Sequence, residues 1–155
     1  MAREIKFRAK VKQPDGIRLP LPPYFKEGEW VQGDLHSRCK IPHIHPCGND
    51  KFPIDVNTIG QFIGMLDKNG KEIYEGDIVY IRMGDGSECH CLIGYDEMLL
   101  GFGIMDEYAY RSTLRGYTRN FDNGFMHRLY RDSKIFEVRG NLYDNPELLT
   151  KDPEE

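Results

Sequence analysis

Between Ile59 and Ile81 the chain reads IGQFIGMLDKNGKEIYEGDIVYI. This is a strand, a tight turn, a strand, a second turn and a third strand. Asn69-Gly70 is the strongest short hairpin signal, because both residue types tolerate φ > 0. Gly76-Asp77 makes the next turn. In the third strand Val79, Ile81 and Met83 point one way, and Ile78 and Tyr80 point the other. The block constrains fold far more than function.

The flanking sequence continues the pattern. Cys89, Cys91, Ile93 and Tyr95 share one face of a following strand. Leu99 to Met105 is an apolar run with two glycines, which predicts a bent strand. Phe136, Val138 and Leu142 line a late strand. At the N-terminus Ile5, Phe7 and Ala9 alternate with Lys6, Arg8 and Lys10, a half-buried strand rather than a signal core. Trp30 to Leu35 reads as a short strand, and residues 36–58 read as irregular. Asn145-Pro146-Glu147 starts a short helix: a cap, a proline at the first helical position, then an acid at the positive end of the dipole. The 16 glycines and 9 prolines favour many turns over long helices.

These signals predict a mainly β fold: a small barrel with extra N-terminal strands and a short C-terminal helix. The barrel core is expected at 59–105 plus 135–143. Residues 1–58 and 106–131 are then annexes, all within a single 155-residue chain.

Three stretches together resemble the YopX family of phage and prophage proteins. They are Glu4 to Ala9, then Thr58 to Gly64 with Asp67 to Val79, and last Gly140 to Leu148. The resemblance reaches from head to tail. It implies that the small barrel is SH3-like, within a mainly β fold with a minor α+β part. It also implies an origin in a bacterial mobile element, and it brings no established activity. The central signature is explained by folding: its glycines build turns, and Asp67 closes an Asx-type turn before Asn69-Gly70. Any function special to this member is expected in Pro20 to Pro53 or Asp106 to Arg131, where the chain departs from the family pattern.

Cys39, His43, His45 and Cys47 form the candidate metal site in the first of those stretches. All four are competent zinc ligands. In a fully extended chain Cys39 and Cys47 stand ~26 Å apart, too far for one ion. The loop must therefore fold back, or His43 and His45 share a metal as neighbours on one strand face. The alternative is a proline-stiffened loop with incidental His and Cys. That alternative is the favoured reading, so no cofactor is expected, with zinc the one candidate. Cys89 and Cys91 read as small buried hydrophobes on a strand.

The second stretch is basic and aromatic. Arg111, Arg115, Arg119, Arg128 and Arg131 are interleaved with Tyr110, Tyr117 and other rings. Arginine pairs phosphates and aromatic rings stack bases. Against a nucleic-acid interface stands the net charge of −4. The competing reading puts the rings in a core or a subunit contact.

No nucleophile elbow, phosphate loop or zinc-protease helix occurs in the sequence. No apolar run approaches the ~18 residues of a membrane span. The chain therefore reads as a cytoplasmic, non-enzymatic binding or assembly module, and the resemblance implies that it is a phage or prophage accessory protein. Self-association and a phage or host protein partner are expected. Nucleic-acid binding through 107–131 and a metal-dependent role through 39–47 are the alternatives.

Overall fold

The computed structural model describes residues 4–22, 25–46, 50–98, 100–117, 121 and 135–150. They divide into two compact units, Met1–Phe62 and Ile63–Glu155.

The first unit is built from β1 (Phe7–Lys10), β2 (Trp30–His36), β3 (His43–His45) and β4 (Phe52–Pro53). All neighbours are antiparallel, with Ala9 opposite Val31, Leu35 opposite Ile44, and Ile44 opposite Phe52. Ala9, Val11, Val31, Ile44, Phe52 and Ile54 form its core. Residues 36–58, expected to be irregular, hold β3, β4 and a 3-10 turn at Val56–Thr58. Strands of two and three residues are too short for an alternating pattern to register. Pro53 sits in the edge strand β4, where a missing N–H costs no ladder bond.

A fifth strand, β5 (Gly60–Leu66), starts in this unit, with Gly60 opposite Arg8, and runs on into the second. There follow β6 (Glu72–Tyr74), β7 (Asp77–Arg82), β8 (Glu88–Asp96), β9 (Gly101–Asp106), α1 (Glu107–Leu114), β10 (Phe136–Asn141) and α2 (Glu147–Thr150). Four of these form an antiparallel sheet in the order β10-β7-β8-β9. One face carries Val79, Ile81, Cys91, Ile93, Ile104 and Phe136, covered by Ile63, Met65 and Ile73. The other carries Ile78, Leu92 and Met105, which pack with Leu149 of α2 and with Ala109 and Tyr110 of α1.

The fold is therefore mainly β with a minor helical part, as expected, and α1 adds a helix beyond the short C-terminal one expected, but the SH3-like barrel is not there. Among the described residues the strands lie in two open orders, β4-β3-β2-β1-β5-β6 and β10-β7-β8-β9, and neither closes on itself. The physical reason is visible in β7, where Asp77, Ile78, Val79 and Ile81 are all buried. A sheet covered on both faces gains its burial from layers above and below and needs no closure. Read as alternation, the same residues suggest one wet face.

The signature turn also differs in detail. Gly70 has φ +81°. Asn69 does not share a positive φ, so the primed two-residue hairpin is replaced by a longer loop closed by Gly70 N–H donating to the Asp67 carbonyl at 3.0 Å. No described helix is long and apolar enough to cross a membrane.

Candidate metal centre

The β2–β3 ladder sets His36 opposite His43 and Asp34 opposite His45. Residues two apart share a strand face. Asp34, His36, His43 and His45 therefore occupy four neighbouring positions on one face of the hairpin. Ile44, fully buried between the two β3 histidines, fixes which face that is. Its burial turns His43 and His45 outward.

One ring nitrogen from each of His36, His43 and His45 lies within 4.8 Å of the other two. His36 is exposed and the other two are half-buried. The rings of His36 and His43 stack with centroids 5.2 Å apart and planes 8° from parallel. His45 tilts against both, at 4.6 and 4.8 Å. Tetrahedral bonds of ~2.05 Å require nitrogens about 3.3 Å apart, within reach of small rotations of these side chains.

Two features prepare the group for a cation. His43 Nδ1 lies 2.9 Å from the Ile41 carbonyl oxygen. A carbonyl only accepts, so Nδ1 carries the proton and Nε2 presents its lone pair. His45 is biased towards its neutral form. Desolvation by its surroundings comes first, then the neighbouring His36 and His43 and the Lys51 ammonium, and together they push its pKa below the ordinary histidine value against the pull of Asp34. Neutral imidazoles are the ligating form.

Gly33 makes the hairpin possible. Its φ is +152°, and a methyl group there would overlap the His45 carbonyl oxygen and come within 2.7 Å of Pro46 Cα. The backbone of β3 thus approaches β2 more closely than any side chain would allow.

Of the four candidate ligands named from sequence, the structure brings His43 and His45 together. Cys39 is exposed in the connection between β2 and β3 and does not join the converging group. Cys47 lies outside the described residues. His36 was missed. No local pattern marked it, because only the β2–β3 register sets His36 against His43. Reading the segment as irregular hid that pairing.

The basic aromatic candidates do not form a described cluster. Tyr110 packs on the Ile78 core and Arg111 is half-buried in α1. Arg115 caps the helix C-terminus, Gly116 follows at φ +88°, and Tyr117 is exposed. Arg119, Arg128 and Arg131 lie outside the described residues.

The protein-family model described as YopX protein matches residues 6–150, nearly the whole chain. No curated protein matches.

Proposed function

We propose that this chain, which belongs to the YopX family by a match over nearly its full length, is a phage- or prophage-derived binding module that holds a divalent transition-metal ion on its β2–β3 hairpin. The convergence of three imidazoles within 4.8 Å carries the reading. His36, His43 and His45 supply nitrogen donors suited to Zn(II). Asp34, across the ladder from His45, is placed to give the fourth ligand or to compensate the charge. A site on an outward hairpin face serves a structural or docking role, and a cytoplasmic setting fits this use of free thiols and histidines.

The test is a calorimetric titration of the Cys89→Ser protein with Zn(II), repeated after adding His36→Ala. His36 is exposed, so its removal leaves the core intact. One ion is expected for the parent, with affinity at least about tenfold lower once His36 is gone. Identical isotherms would refute the centre.

Self-association is a second reading, favoured by Tyr108, Leu114 and Tyr117, which are 66%, 63% and 66% exposed along and just after α1. Light scattering decides it: a mass of 18.0 kDa overturns it.

A further inference from the structure

The metal centre leaves unused a second pair of donors, in the other unit. Cys89 and Cys91 stand two apart on β8 and so share a face. Their sulfurs are 3.6 Å apart. The side chains have turned towards each other on the face where Cys91 joins the core and Cys89 packs against it. Cys91 is buried, and its cross-strand neighbour on β9 is Asp106. The β8–β9 ladder ends at that pair, so Cys89 extends past the end of β9 and is only half-buried. One sulfur is thus anchored and the other reachable.

We propose that Cys89 and Cys91 form a bidentate dithiolate site for a thiophilic d10 cation. The bite fits. Sulfurs 3.6 Å apart with metal–sulfur bonds of ~2.3 Å subtend about 100° at the metal, close to tetrahedral. The field fits as well. Asp106 and Glu107 lie close enough to act electrostatically on both thiols. Two carboxylates attract a cation and repel anionic thiols such as glutathione. A disulfide fits less well, because Cα atoms two apart on an extended strand are about 6.6 Å apart, at the long limit for that bond. Chelation leaves the strand unchanged.

Binding breaks two S–H bonds, forms two metal–sulfur bonds and releases two protons to solvent, with no change of oxidation state. Cys89 is the half-buried thiol that an incoming cation meets first, with Cys91 in sulfur contact behind it.

The test uses the full chain with Cys39→Ser and Cys47→Ser, so that only this pair remains. Cd(II) is added, and the ultraviolet thiolate-to-cadmium charge-transfer band is followed. One equivalent should saturate the band, and further substitution Cys89→Ser should abolish it. A band unchanged by Cys89→Ser, or no band while both thiols titrate as reduced, overturns the proposal. Alkylation mapped by mass spectrometry needs no further variant: Cd(II) should protect Cys89 in the parent, and an unprotected Cys89 overturns it equally. Adding His36→Ala should leave the band in place, so the two metal readings fail separately.

Discussion

The Asp67 carboxylate accepts the backbone N–H of Val138 at 3.0 Å, joining residues 71 positions apart. Its other oxygen accepts from Asn69 and Lys71 at 2.8 and 2.9 Å. One buried side chain thus closes the turn between β5 and β6 and fastens that turn to β10. Lys68 adds a backbone bond to Phe136 and an ion pair with Glu137. The Asp67 to Gly70 stretch is therefore a clasp within the second unit, which gives a folding reason for a family signature at this place.

Replacing Asp67 with alanine should cost about 3 kcal/mol, because three N–H donors lose a charged acceptor at once. The pH dependence has a definite sign. Burial pushes the Asp67 carboxyl up, but the donors Val138, Lys71 and Asn69 outweigh it and hold its pKa below the ordinary value. A lowered folded-state pKa adds stability that is complete above the unfolded value of ~3.9 and is lost as pH falls through the folded value. Urea unfolding at a series of pH values should show Asp67→Ala and the parent converging in acid. A difference that persists there would contradict the account.

Much of this clasp was legible in the sequence: Asp67 as an Asx turn, Asn69-Gly70 as a hairpin, Gly76-Asp77 as the next turn. The bond to Val138 was not, since nothing local specifies a partner so far along the chain. The closed barrel failed for a related reason. Val79 and Ile81 against Ile78 read as two strand faces, but only the structure shows α1 and α2 covering the second. At the candidate metal site, β3 is three residues long and leaves no periodic trace. His43 and His45 were visible as a pair, and His36 needed the strand register.

Leu149 follows from that second layer. It is fully buried in a helix of four residues and packs with Ile78, Leu92 and Met105. Leu149→Ala should lower stability by about 3 kcal/mol, through lost burial and the cavity left behind. Thermal unfolding measures it, and a change within about 0.5 kcal/mol, as for a surface site, would mean that α2 does not close this face.

His45 titrates with an identifiable partner set. Its lowered pKa means that the unfolded chain binds a proton more readily, so this group weakens the fold as pH drops below ~6.5 and through the folded value. Removing the neighbouring ring in His36→Ala should raise the His45 pKa. Imidazole resonances followed against pH by NMR give the answer. A pKa that stays put or falls would mean that the ring cluster is not tight enough for its members to repel one another.

Gly33 provides the sharpest separation of fold from site. Alanine there collides with the carbonyl of His45 and with Pro46, which are backbone atoms that cannot rotate away. The strand β3 must shift, and His45 with it. Ile44 and Phe52 still bury in the same core, so the unit should fold with a loss of about 2 kcal/mol, within the range of backbone-strain substitutions. Zinc affinity should fall far more than stability, because three ligands must converge on one point and a displacement of one ångström removes a donor. Calorimetry on Gly33→Ala beside its urea unfolding curve makes the comparison. Undiminished zinc binding in a folded Gly33→Ala protein would show that the close approach of β2 and β3 does not position the histidines.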